Sequence, residues 1–154
     1  MYNIDIIYDK QNGLEDLDFF ELSSFFESNG LEIDVTHKVP EIVLKAWKCT
    51  DSETGNLIAA AVLEMREGLF VLGDLAVNEQ QRGLHLGKKL LQLVEDDAKA
   101  KGATEIWACA KVPEYYKQYE WFEIDRDKSP TISKCNVCKQ FNVSCFPSII
   151  KKYL

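Results

Sequence analysis

The amino-acid sequence predicts one α/β (α+β) domain, and three observations carry that prediction. The 154 residues suit one hydrophobic core. Stretches at strand spacing alternate with stretches at helical spacing. No internal repeat or low-complexity linker interrupts them.

In order along the chain, residues 2–8 alternate apolar and polar side chains in part and read as an edge strand. Across 14–29, Leu17, Phe20, Leu22, Phe25 and Phe26 form a broad stripe at helical spacing, and Gly30 is a natural stop. Residues 42–49 and 57–64 read as two strands, with Gly55 among the turn residues between them. A further apolar strand, Leu69–Val77, comes after the Glu67-Gly68 turn. The strongest helical pattern spans 86–101. Leu86, Leu90, Val94 and Ala98 recur every four residues, Leu91 widens the face, and Gly102 ends it. Residues 104–110 read as a short buried strand, Pro113 opens a short helix to about Tyr119, 121–124 restart a strand, and 148–154 supply the last. The mixed order of elements is that of an α/β or α+β fold.

Composition excludes some functions. The formal charge of −7 argues against a nucleic-acid partner, because phosphate binding needs a basic face. No apolar run approaches the roughly 20 residues that span a bilayer. A basic region followed by a long apolar stretch is also missing from the start, so the expectation is a cytoplasmic protein with reduced thiols and no membrane partner.

The chemistry concentrates in the turn before the strong helix, 78–89. A helix N-terminus carries unpaired N–H groups and partial positive charge, and small residues there let a phosphate approach. Gly83 and Gly87, with positive charge from Arg82 and from Lys88 or Lys89, make this turn an anion cradle suited to a pyrophosphate. It matches neither G-x-G-x-x-G nor the P-loop.

Asp74-Leu75-Ala76-Val77, four residues, then Arg82-Gly83-Leu84-His85-Leu86-Gly87 resembles the signature of the GNAT superfamily of N-acetyltransferases, Arg/Gln-x-x-Gly-x-Gly/Ala after a strand ending Leu-x-Val. Arg82 takes the first position and Gly87 the last; His85 stands where glycine is usual. Downstream, Tyr115-Tyr116-Lys117-Gln118-Tyr119-Glu120-Trp121 is similar to the family's Phe-Tyr-x-x-x-Gly-Phe, with Glu120 replacing glycine.

The resemblance implies a mostly antiparallel central sheet flanked by helices, in one N-acetyltransferase domain over 1–154. It implies acetyl-CoA as substrate. The pantetheine arm would pair with the backbone of Leu75, Ala76 and Val77. The pyrophosphate would lie on the amides from Arg82 through Gly83, Leu84, His85, Leu86 and Gly87 to Lys88. Tyr116 would act as general acid on the leaving thiolate. Its phenol has a reference pKa near 10 and so is protonated at neutral pH. The acceptor would be the primary amine of a small molecule, attacking directly; a homodimer is an open option for assembly.

The base is less determined. Asp74 lies at the right end of its strand; Glu64 and Glu67 are alternatives. Cys109 falls near a cofactor-contacting asparagine of many relatives; it also reads as a nucleophile, or as a small buried hydrophobe, the favoured bare-sequence reading.

Cys135, Cys138 and Cys145, within a cysteine-rich segment 134–146, offer three thiolates for a zinc ion that normally takes four ligands. A redox pair or reduced structural thiols are the other readings. The tail also resembles that of some short amino-acid acetyltransferases similar to N-acetylglutamate synthase, which hints at an amino-acid acceptor. The competing function is a non-catalytic acyl-CoA-binding or zinc/redox-sensing module.

Overall fold

The computed structural model describes residues 1–31, 33–125, 128 and 148–154. In chain order the elements are β1 (Tyr2–Asp9), α1 (Phe20–Ser28), β2 (Val43–Asp51), β3 (Leu57–Arg66), β4 (Leu69–Val77), a 3₁₀ helix (Glu79–Leu84), α2 (Leu86–Ala100), β5 (Glu105–Ala110), α3 (Pro113–Lys117), β6 (Phe122–Ile124) and β7 (Ser148–Tyr153). Among the described residues seven strands form one sheet in the order β1-β2-β3-β4-β5-β7-β6. Every neighbouring pair is antiparallel except β4 and β5. This is the mostly antiparallel sheet flanked by helices that the resemblance implies.

Local chemistry sets the strand connections. Glu67 and Gly68 both take positive φ, 52° and 77°. That is the two-residue type I′ combination, whose twist matches the strands it joins. It pairs Arg66 with Leu69 and fixes the β3–β4 register. The parallel β4–β5 pair needs a crossover, which the 3₁₀ helix and α2 provide.

The sheet is buried on both faces. Alternation along β3 sends Ala59, Ala61 and Leu63 into a core with Leu86, Leu90 and Val94 of α2. Ala60 and Val62 point the other way, into a core with Leu22 and Phe26 of α1. A strand covered on both sides reads as a continuous apolar run, as 57–63 does.

Two helices are shorter than their patterns suggest. The first begins at Phe20, not at 14. Leu14 is held in a bridge to Asp9, and the Asp18 carboxylate accepts the Phe20 N–H at 3.0 Å in a local turn just ahead of the helix. The third ends at Lys117, where 119 is expected, with Gln118 as its C-cap, and two residues beyond that cap Glu120 takes a left-handed conformation with φ 73°. No helix among the described residues is long and apolar enough to cross a membrane.

Candidate active site

A break in strand pairing creates the site. β4 and β5 pair only at Val71–Trp107 and Leu72–Ala108. Beyond Leu72 the register of β4 against β3 shifts, leaving Gly73 as an extra residue between Leu72 and Asp74. Such a bulge bends a strand and re-aims the residues beyond it. Past it β4 stays on β3, and no described strand pairs with its other edge. The Asn78 N–H donates to the Ile58 carbonyl at 2.7 Å. Backbone groups alternate along a strand, so Ala76 also turns to β3, while the N–H and C=O of Leu75 and Val77 face the open wedge.

The wedge runs into the start of α2. Asn78 accepts the Gln80 N–H at 3.0 Å and so opens the 3₁₀ helix. His85 joins the two helices in a left-handed conformation, φ 57° and ψ 26°. A non-glycine residue tolerates that region uncommonly, histidine more readily than most. His85 and Glu120, the two departures from the resembled glycine pattern, are thus both left-handed, the backbone conformation glycine adopts without strain. The first turn of α2 holds no acidic residue and leaves its leading amides without intrahelical acceptors. Gly87 matters by its size: a Cβ there would lie under 3.0 Å from the Tyr115 hydroxyl.

Helix α3 supplies an aromatic wall, with Pro113 at its first turn. Tyr115 meets Tyr116 edge-on at 5.2 Å and Tyr119 at 5.5 Å, and Tyr116 meets Trp121 at 5.7 Å. Burial, then Tyr115 and the Asp74 carboxylate, hold the Tyr116 phenol well above its usual range. Burial, followed by Tyr119, pushes Tyr115 up to about 12. Both phenols are protonated at neutral pH.

On the other side of β4, the Glu64 carboxylate is 6% exposed and accepts from Arg66 Nε at 3.0 Å. It lies over Gly73, where a Cβ would meet Glu64 Cδ at under 3.0 Å. Lys111, just past β5, donates to the Gly30 carbonyl at 2.6 Å and joins that strand to the segment after α1.

One cavity of about 580 Å³ gathers these parts. Asp74, Leu75, Ala76, Val77, Arg82, His85, Gly87, Lys88, Cys109 and Tyr116 all line it. Leu86 does not, because its side chain is buried in the α2 core. Gly83 and Leu84 belong to the 3₁₀ helix. Of the alternative bases, Glu64 lines the cavity, whereas Glu67 is exposed in the turn at the other end of β4. Cys135, Cys138 and Cys145 lie outside the described residues. Among the described residues no group of three His, Cys, Asp or Glu side chains could hold a metal.

Sequence reasoning missed Arg66, Lys111, Tyr119, the cavity role of Tyr115, and Asn29, Gly30, Leu31 and Ile33, which also line the cavity. Gly73 was the available signal, since an isolated glycine inside a strand pattern marks a bulge or a close approach.

The sequence profile described as the Acetyltransferase (GNAT) family matches residues 19–123. No curated protein matches the chain in sequence. Among solved structures, an acetyltransferase of the GNAT family from Staphylococcus aureus Mu50 aligns with a TM-score of 0.65 at 20% identity, covering 99% of both chains. A GNAT family acetyltransferase from Elizabethkingia anophelis with acetyl-CoA bound gives 0.57 at 16% identity, covering 99% of this chain and 98% of that one. N-acetylglutamate synthase from Neisseria gonorrhoeae, complexed with coenzyme A and N-acetyl-glutamate, gives 0.62 at 15% identity; the whole of this chain aligns, to 35% of that longer one. At these identities the structural likenesses speak for the fold.

Proposed function

The chain belongs to the GNAT acetyltransferase family and is an acetyl-CoA-dependent acyltransferase; from that premise we propose that it acetylates the primary amine of a small molecule by direct attack, with Tyr116 as general acid. The observation that carries this reading is the meeting of three features in one cavity: the edge of β4 that no described strand pairs, the start of α2, and the half-buried Tyr116 side chain.

In this reading acetyl-CoA supplies the acyl group and the thiolate that leaves. Leu75 and Val77 offer the backbone groups along which the pantetheine arm pairs. One of their amides polarises the thioester carbonyl as charge develops on its oxygen. The amides of residues 82–88, with Arg82 and Lys88, hold the pyrophosphate. Cys109 borders the arm from β5. Asp74 takes the proton from the acceptor's ammonium group, and Tyr116 gives one to the departing sulfur. Two facts fit that division of labour: both side chains line the cavity, and the Asp74 charge helps hold the proton on Tyr116.

Residues 1–154 act here as one domain, in the cytoplasm, on an acceptor that is neither nucleic acid nor membrane. A homodimer would be read from mass in solution, and zinc at Cys135, Cys138 and Cys145 from elemental analysis. The test of function is free-thiol release from acetyl-CoA over a panel of amines that includes amino acids. Acceptor-dependent release supports the reading; release with none of a broad panel, by protein that binds coenzyme A, counts against amine transfer.

A further inference from the structure

Tyr115 is a second phenol in the cavity for which the reaction above has no use. It stands beside the proposed general acid, at a position where the resembled motif carries phenylalanine. Its hydroxyl does not stay with α3. It reaches across the wedge to the first turn of α2, where it sits so close to Gly87 that a Cβ there would fall under 3.0 Å from the oxygen and 3.3 Å from Cζ. On the far side the same imaginary Cβ meets Val77 Cγ2 at 3.6 Å. The hydroxyl therefore occupies the junction of the β4 edge and the helix start, where a phosphate arm would turn into the wedge.

The ring is held there. Tyr116 and Tyr119 both clamp it edge-on, at interplanar angles of 76° and 81°. A clamped phenol that stays protonated is a preorganised donor. Resting on the reading of the α2 start as a pyrophosphate site, we infer that Tyr115 is a cofactor-positioning residue, whose hydroxyl donates to a phosphate oxygen seated on the Gly87 amide.

The same contact explains a choice at the signature's last position. That position accepts glycine or alanine in the resembled motif. Here the tyrosine oxygen fills the space of an alanine methyl, so Tyr115 and Gly87 go together. With phenylalanine at 115 a methyl at 87 would meet the ring carbon at 3.3 Å, a tight contact that small shifts relieve.

Calorimetric titration of coenzyme A into wild-type protein, Tyr115→Phe, Gly87→Ala and the double variant tests this, alongside thermal unfolding without ligand. Loss of one charge-assisted hydrogen bond predicts about tenfold weaker binding by Tyr115→Phe, with its ring contacts and melting temperature kept. Gly87→Ala should weaken binding at least as much. The double variant should bind no worse than Tyr115→Phe alone, because the clash needs both groups. Unchanged or tighter binding by Tyr115→Phe overturns the inference, as do strictly additive losses. A fall in its melting temperature that accounts for the loss of binding also overturns it. Failure of the wild-type protein to bind coenzyme A would instead remove the cofactor site itself.

Discussion

Replacing Tyr116 by phenylalanine removes one oxygen and leaves the ring. The ring's edge-on contacts with Tyr115 at 5.2 Å and Trp121 at 5.7 Å persist, so the wall of the cavity should keep its shape. The group lost is a half-buried proton donor that lines the cavity. A positioned general acid contributes about 10²–10⁴-fold. The lower end applies here, because a thiolate is a stable leaving group and the phenol, raised above its usual 10.0 by burial, gives up its proton reluctantly. The expected fall in kcat is about 100-fold, or ~2.7 kcal/mol of barrier. The assay is thiol release at saturating acetyl-CoA, paired with calorimetry of coenzyme A, whose Kd should stay within about twofold because no more than the phenol's contact with the sulfur end is lost. The pH profile adds a second reading. The folded pKa lies above 10, so Tyr116 stays protonated from pH 6 to 10 and imposes no falling basic limb in that range. A kcat within threefold of wild type would refute the general-acid assignment; a wild-type rate that falls between pH 7 and 9 and loses that fall in Tyr116→Phe would instead refute the raised pKa.

Two further substitutions probe the strand that shapes the site and the sheet edge that supports it. Gly73→Ala places a methyl against the Glu64 carboxylate; it should displace the Glu64–Arg66 pair, reduce turnover, and destabilise the protein by about 1–3 kcal/mol in urea unfolding. Asp9 is pushed up by burial, but the Asn12 hydrogen bonds and the Lys45 charge prevail and hold its carboxyl below the usual 3.8. A depressed folded pKa means stability that is present above the unfolded pKa, near 4, and is lost as the pH falls through the folded value. Asp9→Asn should therefore flatten the acid limb of a melting-temperature curve below about pH 4, and an unchanged limb would remove Asp9 from that role.

The elements legible in the sequence were those whose signals are local. The 57–64 run, the Glu67-Gly68 turn and the Leu86 to Ala98 spacing each draw on residues close together in the chain. The anion cradle was legible for the same reason. The illegible parts are long-range. Nothing near Lys111 announces that its amine will cap the Gly30 carbonyl, 81 positions earlier. The splaying of β4 from β5 depends on a bulge set by pairing with β3, and Tyr115 meets Gly87 only because α3 folds across the wedge. The start of α1 was misplaced because Leu17 continues the apolar stripe, while the Asp9–Leu14 bridge and the Asp18 turn to the Phe20 N–H hold the chain out of the helix until Phe20. His85 and Glu120 looked like defects in a pattern. Their positive φ values keep the backbone shape that the glycine pattern implies, at a cost of about 1–2 kcal/mol each.

A crystal structure with coenzyme A bound tests the central claim most directly. The account predicts the pantetheine arm along Leu75–Val77, the pyrophosphate on the amides of residues 82–88, and the sulfur within hydrogen-bond reach of Tyr116. Coenzyme A bound outside this wedge, or with its sulfur directed away from Tyr116, would contradict it.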